Sequence, residues 1–152
     1  MTTAAPPFTS AQIREACPDG HTLDIVTTRE GEVVDRRRTV YFDPGESAVS
    51  IRVTALDTHG ETVGEPMEAR STWDDLRDHA VFPGDITTVT RETIETPLGR
   101  LECARYDVAS GEVTLVFWFS SEFPGMPIRS ATVSDGHEVE TTIVTAVMDP
   151  SS

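Results

Sequence analysis

The sequence contains no lysine and no asparagine, and glutamine occurs once, at Gln12. Without lysine the chain has neither a Schiff-base amine nor the phosphate-binding lysine of a P-loop, and without asparagine it has no N-glycosylation site. Basic residues are also few, since 12 arginines stand against 26 acidic side chains and the net charge is −14. Polyanion binding needs a basic surface, so we expect neither nucleic acid nor an anionic membrane surface as a partner.

Long apolar runs are also missing. The most apolar run, Val113–Phe119, has the length of a strand and falls short of the roughly 18 residues that cross a bilayer. The first ten residues carry neither the basic nor the apolar segment of a signal peptide. With two cysteines in addition, we expect a reduced, cytoplasmic protein in which Cys17 and Cys103 are free and buried.

Motifs for several kinds of chemistry are absent. No C-x-x-C or H-x-x-x-H pair occurs, so we expect no metal site. No G-x-S-x-G turn and no G-x-G-x-x-G loop occurs, which argues against a nucleophilic serine and a nucleotide cofactor. We therefore expect no cofactor. Three of the four histidines, His21, His59 and His137, stand beside glycine-bearing turns, where we expect them at the surface.

What the chain does contain is a series of strand signals. Its 152 residues suit a single domain at 1–152, with 1–8 as a flexible leader and 149–152 as a tail. Apolar and polar residues alternate in segments separated by glycine, proline and aspartate, which is typical of half-buried antiparallel strands. We predict strands near 23–28, 33–42, 49–55, 62–69, 85–95, 100–108, 112–120, 127–134 and 138–148. Because Pro66 cannot donate to a ladder, the fourth of these is predicted to be an edge strand.

Two short helices are also predicted. Thr9 and Gln12 have the spacing of a capping box, which places a helix at about Ser10–Cys17. A second helix, within 71–80, has acids in its first turn and an apolar stripe that begins at Trp73. The predicted fold is thus α+β and mainly antiparallel β, a curved sheet or half-barrel of about nine strands with two short helices.

The run Val113–Phe119 is apolar on both faces, unlike the other strands. A strand of this kind is covered on both sides. We expect the sheet to be covered there by a helix or a ligand cavity.

One region resembles a known group of proteins. The segment Glu95–Tyr106, followed by Val116–Phe119 and Pro124–Arg129, is similar to hairpins of the LolA-like half-barrel group, which includes lipoprotein-sorting factors and uncharacterised bacterial relatives. The resemblance covers about 95–129. It implies a strongly curved antiparallel sheet around an apolar cavity, with helices as a lid, and hence an apolar ligand.

The candidate ligand-binding residues are aromatic, thioether and arginine side chains. Aromatic residues and methionine line apolar pockets, although they also build ordinary cores. An arginine that points inward from the run 36–38 would meet an anionic group, although cross-strand ion pairing also explains such a run. The candidates are Trp73, Phe117, Phe119 and Met126 as the wall and Arg36 or Arg38 as the polar anchor.

Three functions remain open at this stage. The sequence favours a binding protein for an apolar or amphipathic small molecule over an enzyme. The first alternative is a cofactor-free cyclase or isomerase, with His79 and Asp75, four residues apart on the second helix, as a general base pair. The second is an interaction module, or a homodimer, that pairs through a sheet edge.

Overall fold

A computed structural model describes residues 4–149 of the chain, and its main element is one sheet of nine strands. The strands are β1 His21–Arg29, β2 Glu32–Phe42, β3 Ala48–Leu56, β4 Thr62–Thr72, β5 Thr87–Thr96, β6 Gly99–Ser110, β7 Val113–Ser120, β8 Arg129–Ser134 and β9 His137–Met148. The helices are α1 Ser10–Ala16 and α2 Trp73–Asp78, with a 3₁₀ turn at Gly84–Ile86. The predicted α+β class with a curved sheet is confirmed.

The sheet is open, and all its strands are antiparallel to their neighbours in the order β4-β3-β2-β1-β9-β8-β7-β6-β5. It consists of two meanders joined at the centre by the pairing of β1 with β9. The strands β4 and β5 are the two edges, so the segment 73–86 carries the chain from one edge to the other. Pro66 lies in an edge strand, as predicted.

Both helices begin at a threonine that caps them. Thr9 accepts a hydrogen bond from the Gln12 amide at 3.1 Å, and the Gln12 side chain accepts one from the Thr9 amide at 2.9 Å, so the capping box is present. Thr72 caps α2 by accepting from the Asp75 amide at 3.0 Å. Each cap satisfies amides that the first helical turn leaves unpaired.

The face of the sheet that the helices cover, here called the inner face, carries the main core. Period-two alternation places apolar side chains of β1, β2, β6, β7 and β9 on this face, where they meet α1, α2 and the residues before α1. The buried members of this core are Phe8, Ile13, Cys17, Leu23, Ile25, Tyr41, Val49, Trp73, Ala80, Tyr106, Phe119 and Val144.

The opposite face, here called the outer face, has a smaller core around β7. Trp118 is only 3% exposed there, because the guanidinium groups of Arg105 and Arg129 lie 5.3 and 4.5 Å from its ring. Its indole N–H donates to Glu92 at 3.0 Å. The strand is covered on both faces as predicted, and on the outer face the cover consists of arginine side chains and a small apolar cluster.

The residues before α1 are packed rather than flexible from Ala4 onward. The Ala4 amide donates to the Phe82 carbonyl at 2.8 Å, and the Tyr106 hydroxyl donates to the Ala5 carbonyl. Phe8 is 7% exposed and meets Phe119 edge to face at 6.1 Å. Burial of Phe8 explains why the expected flexible leader is docked at 4–8. Residues 1–3 of that leader and 150–152 of the expected tail lie outside the described residues.

Two further features of residues 4–149 bear on the predictions. None of their helices combines the length and the apolar character needed to pass through a bilayer. Cys17 and Cys103 are both free and buried, as expected.

Candidate functional site

A groove lies between the inner face of the sheet and the elements that cover it. It consists of three adjoining pockets of about 250, 240 and 450 Å³, all of which are lined by Tyr41 and Met126. We call this space the central groove. Tyr41 comes from the middle of the sheet and Met126 from the loop between β7 and β8, so the groove is centred between sheet and cover.

Each pocket extends from that centre in its own direction. The first runs toward the end of α1, where Cys17 and His21 line it. The second runs toward β7 and is lined by Phe117 and Phe119. The third follows β2 outward to Arg37. Leu76 and His79 of α2 line both the second and the third pocket, so α2 covers the passage between them.

Tyr41 is the most informative residue of the groove. The residue as a whole is 4% exposed, and no described hydrogen bond of residues 4–149 involves its hydroxyl. Because no fully enclosed side-chain oxygen of these residues lacks a partner, the Tyr41 hydroxyl keeps some access to the groove. Burial, with a smaller contribution from neighbouring Cys17, raises the pKa of the Tyr41 hydroxyl, so it is a neutral donor at physiological pH. A hydroxyl that opens onto a groove and has no partner in the protein can donate to water or to a ligand there.

Three of the six predicted ligand-binding residues lie at the groove. Phe117 and Phe119 project from one face of β7 with their rings 6.3 Å apart, and Met126 lies opposite them. Trp73 does not line any of the three pockets. It is 2% exposed in the core between the helices, and its indole N–H donates to the Gly45 carbonyl at 2.9 Å. The structure thus places Trp73 as a helix anchor.

The arginine run divides between the two faces. Arg38 lies on the outer face and makes two hydrogen bonds with Asp24, at 2.7 and 3.0 Å. Arg36, two residues away on the same strand, shares that face. Neither lines the groove, whereas Arg37 between them does. The register explains this, because Arg37 pairs with Ile25 on β1 and Ala55 on β3, which face inward.

The helix residues proposed for acid–base chemistry are only partly at the groove. His79 lines two of the pockets, whereas Asp75 lines none of the three. Within residues 4–149 the His79 backbone amide bonds to the Asp75 carbonyl at 3.2 Å, and no hydrogen bond joins their side chains. The arrangement therefore gives the base pair of the enzyme hypothesis no support.

The end of the groove near α1 holds several ionisable groups. His21 is 7% exposed and pairs through Nδ1 with the Asp149 carboxylate, so the expectation that it lies at the surface is wrong. Burial, with a smaller contribution from Asp149, raises the pKa of the Cys17 thiol from 9.0 to about 12. That thiol is inert at neutral pH. Among residues 4–149 no group of three His, Cys, Asp or Glu side chains is arranged to hold a metal.

Among the groove residues that the sequence did not single out are Arg37, Thr39 and Tyr41. They alternate along β2, and the alternation already places all three on one face of the strand. The alternation does not show which face of β2 the helices cover. The structure shows it, because Tyr41 pairs with Ile51 and Thr39 with Val53 on β3, whose apolar face is evident from the sequence.

The chain is similar in fold to several solved structures, whereas the comparisons by sequence found no match. No family model matches the chain, and no curated protein matches it significantly. A chain in the complex of MucA and MucB from Pseudomonas aeruginosa has a TM-score of 0.58 at 14% identity, over 91% of this chain and 54% of that one. A crystal structure of MucB gives the same TM-score and identity, over 91% of this chain and 56% of that one.

A putative exported protein with a YmcC-like fold from Bacteroides fragilis has a TM-score of 0.52 at 13% identity, over 86% of this chain and 96% of that one. These likenesses show the fold alone. They are compatible with the half-barrel that the LolA-like resemblance implied. The chain spans only about half the length of the first structure it matches.

Proposed function

We propose that the protein binds an apolar or amphipathic small molecule in the central groove. The observation that carries the proposal is the Tyr41 hydroxyl, which opens onto the place where three pockets meet and has no hydrogen-bond partner among residues 4–149. The surrounding wall suits such a ligand. Phe117, Phe119 and Met126 supply apolar surface, and ligand pockets combine such surface with a few placed polar groups.

A neutral hydrophobic dye tests this proposal. We expect N-phenylnaphthylamine to bind saturably and to fluoresce more strongly in the presence of the folded protein. Met126→Trp places a larger side chain where all three pockets meet, so we expect it to weaken binding by about tenfold or more. Met67→Trp is the matched control, because Met67 is 77% exposed on β4. Binding that is not saturable, or that both variants leave unchanged, would refute the proposal.

A protein partner at the edge strand β4 is a second candidate function. The strand is exposed from Thr62 to Arg70, and Met67 and Val63 are among its exposed apolar side chains. An open edge offers unpaired backbone groups to another chain, including a second copy of this one. The structure of MucB with MucA, to which this chain is similar in fold, is a complex of two proteins.

The same two variants separate the candidates. A partner at β4 would be lost with Met67→Trp and kept with Met126→Trp, the reverse of the result expected for a small molecule in the groove. The cytoplasmic location stays a prediction from the sequence.

A further inference from the structure

The floor of the central groove contains a line of polar side chains within an apolar surface. Arg37, Thr39 and Tyr41 alternate along β2 and all line the third pocket. The rows on either side are mostly apolar, with Ile25 and Leu23 on β1 and Val53 and Ile51 on β3. We call Arg37, Thr39 and Tyr41 the polar stripe. At about 3.3 Å per residue it is roughly 13 Å long, which suits an extended amphipathic molecule.

The side chains of the polar stripe have hydrogen-bond donors that no described residue accepts from. No described hydrogen bond of residues 4–149 involves the Thr39 or the Tyr41 hydroxyl, and because no fully enclosed side-chain oxygen of these residues lacks a partner, both hydroxyls keep access to the groove. Arg37 donates to Asp35 through Nε at 2.7 Å. Its two terminal nitrogens make no further hydrogen bond with a described residue. Asp35 thus holds the guanidinium in place and leaves its outer edge available to an acidic group.

The two ends of the groove differ in charge. The pocket near α1 is lined by Glu15, Glu122 and Asp149, which disfavour an anion. Among residues 4–149, Arg37 is the one arginine that lines any of these three pockets; it lines the third, at the opposite end, and its side chain is 49% exposed. The Arg37 end carries one arginine paired with one carboxylate, Asp35, so an anionic group meets less repulsion there than near α1 and can bond to the terminal nitrogens of the guanidinium.

We propose that the ligand of the central groove is an amphipathic anion whose acidic head group binds Arg37. Its polar part extends along Thr39 and Tyr41, whose hydroxyls can bond to it, and its apolar part continues beneath Leu76 of α2 toward Phe117 and Phe119. This inference rests on the proposed function and adds the class and the orientation of the ligand. The charge-assisted bonds to the guanidinium form at the open end of the groove, where the head group keeps part of its hydration.

Three probes of equal chain length test the orientation: a medium-chain fatty acid, the corresponding alcohol and the corresponding primary amine. We expect the acid to displace the dye best and the amine least, because only the acid gains bonds to Arg37. Arg37→Gln should weaken binding of the acid by about tenfold and leave the alcohol unchanged. Arg36→Gln, on the outer face, is the matched control and should retain the preference for the acid.

The outcomes separate the two proposals. If acid and alcohol bind equally well and Arg37→Gln changes neither, the anionic class is refuted, while binding in the groove stands. If the acid is preferred but Arg36→Gln removes the preference as fully as Arg37→Gln, the orientation is refuted, because the effect then follows overall charge. If the dye binds saturably but none of the probes displaces it, the anionic class fails and binding in the groove stands; if the dye itself does not bind saturably to a protein whose circular dichroism shows it folded, both proposals fail.

Discussion

At the scale of single residues, two ionisable side chains that line the central groove, Cys17 and Tyr41, are kept protonated by the fold. Cys17 and Tyr41 are both buried, and burial raises the pKa of each. Both groups are neutral when protonated, so the native state retains its protons to higher pH than the unfolded chain does. Their contribution to stability is complete below their ordinary pKa values and declines as pH rises toward their folded values.

We therefore predict that the free energy of unfolding falls as the pH rises from about 9 to about 12, the interval between the ordinary and the folded pKa of Cys17. Urea titrations at a series of alkaline pH values measure it. Tyr41→Phe and Cys17→Ala should each make the decline shallower, since each removes a group that must ionise. A stability that stays constant over this interval, or a decline that neither variant alters, would contradict the prediction.

At the scale of secondary-structure elements, the segment before α1 is part of the cover of the inner face. Phe8 belongs to the main core, and α1 begins two residues later at Ser10. Because Phe8 packs on Phe119, the segment fixes α1 over the second pocket. Without this segment, α1 would depend on Ile13 in the core and on a few exposed side-chain hydrogen bonds, since a helix of its length is not stable in water by itself.

Phe8→Ala should lower the free energy of unfolding by about 3 kcal/mol, as is usual when a buried phenylalanine is truncated. Phe8→Leu, which keeps most of the apolar volume, should cost less than about 1.5 kcal/mol. Chemical denaturation of the three proteins measures both values. A Phe8→Ala variant within about 0.5 kcal/mol of the parent would mean that the segment is not docked in solution.

The elements were largely predictable from the sequence, whereas the site was not. Alternation with period two and turn residues locate strands because both are local properties of the chain. Which face of β2 is covered depends on its pairing with neighbouring strands, which local sequence patterns do not show. For this reason the sequence predicted Arg36 or Arg38 as the polar anchor, whereas the structure places Arg37 at the groove. The burial of His21 likewise depends on Asp149, a residue 128 positions away.

At the scale of the whole molecule, the net charge of −14 is the dominant electrostatic feature. Mutual repulsion of like charges destabilises a compact state. Most of the ion pairs are exposed, where each contributes little. Salt screens both the repulsion and the ion pairs. We therefore expect the stability gained by screening the repulsion to exceed the stability lost by screening the ion pairs.

We predict that the melting temperature rises with sodium chloride, because the screening length falls from about 30 Å at 0.01 M to about 8 Å at 0.15 M. Thermal unfolding followed by circular dichroism measures the change, and sucrose at equal osmolarity controls for effects that are not ionic. A melting temperature that falls with salt would show that the ion pairs, including Arg38 with Asp24, dominate instead.

The pairing of β1 with β9 at the centre of the sheet has a consequence for the order of folding. Every other strand pair joins sequence neighbours, whereas Arg29 and Glu140, opposite each other in this pair, are 111 residues apart. Each meander can form by local hairpin closure, but the central pair requires a long loop to close, which is a slow step. Because Tyr41 and Phe117 lie on different meanders, the groove exists only after that closure. The proposed ligand therefore binds only after the fold is complete.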